Sequence, residues 1–321
     1  MHKITIIGFS LESWSHNYTL FRSKSALLAV TLLFLTLTVP AFAYQASSHQ
    51  QLTFLAARHL NACAEQLGVQ PLTPLQVRYI AKASVKQASP GFFKSLVRWN
   101  YYERNAQLER TAVGVVNTRM HDEFNDVIRA MSRQTDASKK YAQLGRIVSY
   151  IQDMTSPAHV VPIFYTRFWR LNITDRFNAY SIETAQFEAQ LSDMCGFANK
   201  NSDFNLLDVL IMTADKTLTA VQEPVEGLPT SWQAFWELDE QAEDWGEYGV
   251  AGNNFGRKVD FKCGDQKCIL LNDDPLYREF ATQRHIQAVK STLLALYWMQ
   301  RSVLQTPLKA AAGRRFLPVV R

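Results

Sequence analysis

The residues of this sequence that are best suited to chemistry are an aspartate and a histidine six positions apart, Asp153 and His159. Apolar residues with the spacing of one helix face precede them at 144–151, and Pro157 predicts that this helix ends near Ser156. A carboxylate at a helix C-terminus gains nothing from the helix dipole, which favours cations there. A bound cation would explain Asp153, with the neutral imidazole of His159 as a second ligand. The alternative is a solvated aspartate at a capped helix end, followed by a loop histidine.

The surrounding run, GRIVSYIQDMTSPAH, resembles the helix-end motif HxxxDxxxPxH of the zinc-dependent phospholipase C and single-strand nuclease superfamily. Asp153, Pro157 and His159 match that motif in type and spacing, whereas Ser149 stands where the motif has its first histidine. The resemblance implies an all-helical fold with a zinc cluster in a cleft. It also implies zinc-assisted hydrolysis of phosphodiesters, in which Asp153 bridges metal ions and is the catalytic residue.

The N-terminal region carries the features of an export signal. Residues 26–39 are apolar, basic residues precede them, and the small-residue triplet at 41–43 follows. This order is typical of a secretory signal peptide, and the apolar run is too short for a membrane span of about 20 residues. We predict a leader at 1–43, cleavage after Ala43, and a secreted or periplasmic protein.

The predicted first residue of the mature chain is Tyr44, and His49 follows it by five positions. In the superfamily that the motif resembles, the processed N-terminal residue binds zinc together with a nearby histidine. The resemblance therefore implies that Tyr44 and His49 are zinc ligands, and neutral imidazole is the commonest metal ligand. The alternative places His49 in the first turn of a helix without a metal.

The other ligand positions of the superfamily are filled only in part. The resemblance assigns Asp175 to one of them, whereas Asn100 and Asn178 stand where a histidine and an acid are expected, and 85–88 lacks the expected carboxylate. Because the losses at 85–88, Asn100 and Ser149 fall on one metal position, we expect one or two zinc ions rather than three.

Three further histidines, His59, His121 and His285, lie within predicted helices. His121 lies next to Asp122 and close to Asp126, so these residues form a possible ligand cluster on successive helical turns; a solvated helix face is the alternative. His59 and His285 lie within predicted amphipathic helices, and we interpret both as structural.

All four cysteines follow the predicted leader, and an even number in an exported chain indicates disulfides. Cys263 and Cys268 flank a turn-like sequence and are close enough to close a hairpin. Cys63 would then pair with Cys195 by elimination. A zinc site made of four cysteines is the alternative.

The mature chain is predicted to be all-α, a single multi-helix domain at 44–305 with a basic C-terminal tail at 306–321. A loop region rich in Pro, Gly and Trp, with a small disulfide-closed hairpin, interrupts it at 222–273. Amphipathic periodicity predicts the following helices: 48–67, 74–87, 91–102, 108–131, 141–155, 176–195, 206–221 and 275–303.

The predicted leader carries +2 of the formal net charge of +5, which leaves +5 − 2 = +3 for the mature chain. This mild basic balance does not indicate a nucleic-acid-binding protein, because no dense Lys/Arg patch accompanies it. The aromatic runs at 163–169 and 232–245 could lie at a membrane interface, stack on bases or belong to the core. We expect a monomer that acts on a phospholipid or membrane surface rather than on nucleic acid. The predicted function is an exported, phospholipase C-type hydrolase; the alternatives are a nuclease-like hydrolase and a lipid- or metal-binding protein without turnover.

Overall fold

A computed structural model describes residues 46–89, 101–102, 120–161, 163, 175–181, 184–238 and 246–312. These residues are mainly helical, and their strands are short, so the predicted all-α class is confirmed. The helices are α1 (Ala46–Cys63), α2 (Pro74–Ala88), α3 (Met120–Ser132), α4 (Ala137–Asp153), α5 (Pro157–Val160), α6 (Thr184–Glu188), α7 (Met194–Lys200), α8 (Leu206–Gln222) and α9 (Pro275–Ala312). None of the described helices is long and apolar enough to cross a membrane.

Two small antiparallel hairpins and two 3-10 helices complete the described part of the chain. The strands are β1 (Glu237–Leu238) and β2 (Gly246–Glu247), which pair with each other, and β3 (Val259–Cys263) and β4 (Gln266–Leu270), which form the second pair. The 3-10 helices are Phe177–Ala179 and Trp232–Ala234.

Helix α4 is the central helix of the fold, because it contacts α1, α2, α3, α8 and α9. It runs parallel to α2: Gln76 near the start of α2 donates to the Tyr141 hydroxyl at 2.9 Å, and Gln87 near its end donates to that of Tyr150 at 2.9 Å. The two backbones approach so closely that a Cβ at Gly145 would collide with the carbonyl oxygen of Ile80. The last turns of α4 are completely buried, which places Asp153 in the interior.

Local capping chemistry explains why several helices begin where they do. Thr73 caps α2 with Pro74 in its first turn, and Gln76 completes a capping box. Asp136 caps α4 by accepting a hydrogen bond from the Lys139 amide at 3.0 Å. Helix α4 therefore starts four residues earlier than the predicted 141.

The predicted end of the motif helix near Ser156 is wrong by one turn. Helix α4 ends at Asp153, and Ser156 and Pro157 instead begin the one-turn helix α5. His159 consequently lies within a helical turn rather than in a loop. Pro is favoured at the first position of a helix because its missing N–H would have no partner there.

The single helix predicted at 176–195 is also wrong. The chain forms a 3-10 helix, then α6, then α7. The side chain of Asp175 accepts a hydrogen bond from the Phe177 amide at 2.9 Å. Asp193, which has a left-handed φ of 52°, caps helix α7 by accepting a hydrogen bond from the Gly196 amide. Aspartate side chains compete for backbone N–H groups in this way, so they interrupt a helix that periodicity alone predicts.

At the C-terminal end, α9 continues to Ala312, beyond the predicted end at 303. The predicted tail at 306–321 is therefore helical in its first part. Residues 309–312 are Lys-Ala-Ala-Ala, which are strong helix formers.

Both predicted disulfides are confirmed. Cys63 at the end of α1 is bonded to Cys195 in α7, and Cys263 is bonded to Cys268 across β3 and β4. Gly264 occupies the turn of that hairpin with a φ of +57°, a conformation that glycine adopts without strain. Because all four cysteines are bonded in pairs, the alternative four-cysteine zinc site is excluded, and the bonds indicate an oxidising compartment.

An aromatic cluster fills the end of the core that lies under the loop region. Trp232 and Trp236 are 6% and 1% exposed, and their rings pack against Phe255 and Phe280. The core interpretation of the second aromatic run is therefore confirmed for these residues. Residues 164–169 of the first run and 239–245 of the second lie outside the described residues.

Candidate metal centre

Helices α1 and α4 bring together two of the predicted ligands that are distant in sequence. The Nε2 atom of His49 lies 3.3 Å from the Oδ1 atom of Asp153, and neither side chain is exposed to solvent. Helix α1 positions His49 through a face that also buries Leu52 and Ala56. The pair is thus held by two packed helices, which fixes a ligand geometry more firmly than loops do.

A hydrogen-bonded amide fixes the orientation of the histidine. The Oε1 atom of Gln152 lies 2.6 Å from Nδ1 of His49, and the Nε2 atom of Gln152 donates to the hydroxyl oxygens of Thr53 at 3.2 Å and Thr292 at 3.1 Å. These contacts connect α1, α4 and α9 around the His49–Asp153 pair. All of these side chains are completely buried.

The separation of this pair fits a shared zinc ion. Zinc binds histidine nitrogen at about 2.0–2.1 Å and carboxylate oxygen at about 2.0–2.2 Å, so two such ligands of a tetrahedral site lie about 3.3–3.4 Å apart. The 3.3 Å between His49 Nε2 and Asp153 Oδ1 matches this value. Imidazole and carboxylate are both common zinc ligands, so the donor set also fits.

His159 lies on α5, close to the same end of α4. Its side chain is 5% exposed, and its ring centroid is 6.2 Å from that of Tyr101. Its backbone oxygen accepts a hydrogen bond from the Tyr102 amide at 2.8 Å. The prediction that His159 binds zinc stays a prediction.

Asp175 is surrounded by hydrogen-bond donors. Its Oδ2 atom accepts from the indole of Trp236 at 2.9 Å and from the hydroxyl of Tyr248 at 3.0 Å, while Oδ1 accepts from the Phe177 amide. The residue is 1% exposed. These three donors stabilise the carboxylate within the protein, and the prediction that Asp175 binds zinc stays a prediction.

Asn178 connects the segment after Asp175 to the motif. The hydroxyl of Ser156 donates to the Oδ1 atom of Asn178 at 2.6 Å, and both residues are buried. This contact places the 3-10 helix Phe177–Ala179 beside the start of α5. Asn178 therefore lies near the predicted site, where its side-chain oxygen is bound to Ser156.

Ser149, which replaces the first histidine of the motif, is completely buried one turn before Asp153. Among the described residues, its hydroxyl oxygen has no hydrogen-bond partner.

The next residue of α4, Tyr150, donates to a carboxylate oxygen of Glu123 at 3.0 Å and accepts from Gln87. Burial, and then the negative charge of Glu123, raise the pKa of Tyr150 well above its usual value, so it stays a neutral donor.

His121 packs against an aromatic ring and is close enough to Asp122 for that charge to act on it, so its predicted role as a ligand stays a prediction. Its ring centroid is 5.1 Å from that of Tyr102, and burial lowers its pKa. Burial, and then the charge of Asp215, raise the pKa of Tyr102 to about 12, so this hydroxyl is neutral too. Within the described ranges there is no group of three or more His, Cys, Asp or Glu side chains that could hold a metal ion.

Two predicted ligands, Tyr44 and Asn100, lie outside the described residues. The structure adds polar groups that the sequence analysis did not identify, namely Gln152, Thr53 and Thr292. Thr53 carries a usable signal, because it lies four residues after His49 and so on the same helix face. Thr292 carries none, since it is 140 positions from Gln152.

Comparison of this chain with protein-family models, with curated protein sequences and with solved structures finds no match.

Proposed function

We propose that this protein is an exported, metal-dependent phosphodiester hydrolase of the zinc-dependent phospholipase C type, with a reduced metal cluster. The observation that carries the proposal is the meeting of His49 and Asp153 at 3.3 Å. The motif resemblance implies a shared zinc ion for these two residues, and nothing else in the sequence predicts their contact. Two disulfides support export, because such bonds form in oxidising compartments.

In this proposal His49 and Asp153 hold one zinc ion together with the predicted mature N-terminus at Tyr44, and His159 is the candidate ligand of a second ion. Bound zinc would polarise a phosphoryl oxygen and lower the pKa of a water molecule to near neutrality. Asp153 contributes negative charge to the site, and Gln152 orients His49. The proposed substrate is a phospholipid rather than a nucleic acid, since the net charge of +5 is only mildly basic.

A second candidate function is metal binding without turnover. Two observations favour it: Asp153 and His49 have no solvent exposure, and Asp175 is already satisfied by protein donors. Such a site would hold a structural ion that links α1 to α4. This candidate shares the metal with the hydrolase proposal and differs in predicting no catalysis.

The test is hydrolysis of phosphatidylcholine vesicles and of a chromogenic phosphodiester by the mature protein in the presence of zinc. Asp153→Asn removes the charge of the proposed ligand with little change in shape, and Thr217→Val is a control at a buried polar residue of α8 outside the predicted ligand set. We expect a loss of at least about 100-fold in rate for Asp153→Asn, because removing one strong electrostatic contact in a catalytic site costs this much. Equal rates for wild type and Asp153→Asn would refute hydrolysis and leave the metal-binding candidate.

A further inference from the structure

A closed ring of hydrogen bonds joins the backbone of His49 to its own imidazole. The hydroxyl of Thr53 donates to the carbonyl oxygen of His49 at 2.7 Å, one helical turn back. A hydroxyl has a single proton, so the oxygen of Thr53 can only accept in its second contact, at 3.2 Å from Nε2 of Gln152. The group of Gln152 that faces Thr53 must therefore be the NH2 group.

This constraint sets the orientation of the whole amide. The NH2 group of Gln152 has two protons, and its two contacts are the hydroxyl oxygens of Thr53 and Thr292. The amide oxygen then faces Nδ1 of His49 at 2.6 Å. An amide oxygen can only accept a hydrogen bond, so Nδ1 of His49 must carry a proton.

We infer that Gln152 is a positioning residue that holds His49 in the tautomer with the proton on Nδ1. The lone pair of Nε2 is then directed towards the Oδ1 atom of Asp153, 3.3 Å away. Two electron-rich atoms at this distance favour a cation between them. A metal-binding histidine commonly donates its second ring nitrogen to an oxygen acceptor, which fixes its tautomer and ring orientation.

The proton on Nδ1 follows from the hydrogen bonds alone, whereas the lone pair on Nε2 and its role towards a metal rest on the proposed function. Both parts can be tested separately. Long-range proton–nitrogen NMR of the metal-free mature protein, labelled with ¹⁵N-histidine, reports which ring nitrogen of His49 carries the proton. We expect a protonated Nδ1 and an unprotonated Nε2 at neutral pH. A proton on Nε2, alone or in an imidazolium with both nitrogens protonated, would overturn the inference.

Variants of Gln152 test whether this residue fixes the proton on Nδ1 of His49. Gln152→Leu removes the acceptor at similar size, and we expect His49 to lose the fixed proton on Nδ1; Gln152→Glu retains an acceptor oxygen and should keep that proton. An unchanged tautomer in Gln152→Leu would overturn the inference. If Gln152→Leu does not fold, Thr53→Val tests the same ring of hydrogen bonds. Loss of the Thr53 hydroxyl leaves the Gln152 amide free to rotate, so we expect the proton on Nδ1 of His49 to be less firmly fixed. Its matched control is Thr217→Val, because Thr217 is also buried and donates to a backbone oxygen four residues back, at 3.1 Å.

Zinc affinity separates this inference from the proposed function. We expect Gln152→Leu to bind zinc about 10–100-fold more weakly than wild type, the usual effect of losing a group that orients a metal-binding histidine. Equal affinity would overturn the positioning role while leaving the metal site intact. A wild-type protein with the expected tautomer and no affinity for zinc would instead refute the proposed function and the role of Gln152 towards a metal.

Discussion

Asp153 and Asp175 are both buried carboxylates, with 0% and 1% exposure, and they contact different neighbours. Asp175 accepts hydrogen bonds from an indole, a phenol and a backbone amide. Asp153 instead faces Nε2 of His49, the ring nitrogen that the Gln152 amide does not contact. Burial alone therefore does not identify a metal ligand, and the neighbouring atoms must be compared as well.

The environment of Asp175 predicts the largest effect on stability. Replacing Asp175 by Ala leaves the Trp236 indole, the Tyr248 hydroxyl and the Phe177 amide without this acceptor. Each buried donor left unsatisfied costs about 1–3 kcal/mol, so we expect the free energy of unfolding to fall by at least about 3 kcal/mol. Urea denaturation measures this change. A loss that zinc fully restores would contradict the structural role of Asp175.

The same aromatic region contains a histidine that should make the protein sensitive to acid. His285 is 2% exposed, and its ring lies 6.0 Å from that of Phe177. Burial, and then the charge of Arg284, lower its pKa to about 3 from the usual 6.5. Between these values the unfolded chain binds a proton and the folded protein does not, so stability falls as the pH falls below 6.5.

The expected slope is about 1.4 kcal/mol per pH unit, which amounts to about 2 kcal/mol at pH 5. His285→Gln removes the titrating group, and its unfolding free energy should change less between pH 7 and pH 5 than that of wild type. His59→Gln is the comparison variant: burial lowers the pKa of His59 as well, but this histidine is only partly buried, so its pH profile should differ less from wild type than that of His285→Gln. Identical pH profiles for His285→Gln and wild type would contradict a neutral, buried His285.

The smallest effect on stability is expected for Ser149, one helical turn before Asp153. Ser149→Ala removes a buried hydroxyl that has no partner among the described residues, so we expect a change of less than about 1 kcal/mol. Ser156→Ala is the matched variant, since that hydroxyl donates to Asn178 at 2.6 Å and its loss leaves a buried oxygen unsatisfied. Thermal unfolding of both variants distinguishes them. A Ser149→Ala loss as large as that of Ser156→Ala would show that Ser149 has an energetic role of its own.

The sequence predicts those features that depend on neighbouring residues. The capped start of α2 follows from Thr73 and Pro74, and the β3–β4 disulfide follows from two cysteines that flank a turn. The break of the helix predicted at 176–195 was missed because Asp175 and Asp193 bind nearby backbone amides, an effect that hydrophobic periodicity does not register.

The sequence predicts the candidate metal centre only in part, because several of its contacts join residues that are distant in the chain. The motif spacing and the N-terminal histidine led to Asp153 and His49, which the fold brings into contact. The network that orients His49 depends on Thr292 from the last helix, and the donors around Asp175 come from Trp236 and Tyr248, 61 and 73 positions away. Only tertiary packing establishes such contacts.

Zinc titration of the metal-free mature protein by calorimetry tests the central claim, that His49 and Asp153 share a zinc ion, most directly. We expect at least one zinc ion per chain in wild type, no loss of that ion in Asp175→Asn, and loss of it in both His49→Gln and Asp153→Asn. Zinc at 100 times its dissociation constant should also stabilise wild type by about 2.7 kcal/mol. Equal zinc binding by wild type, His49→Gln and Asp153→Asn, or none by wild type, would contradict that claim.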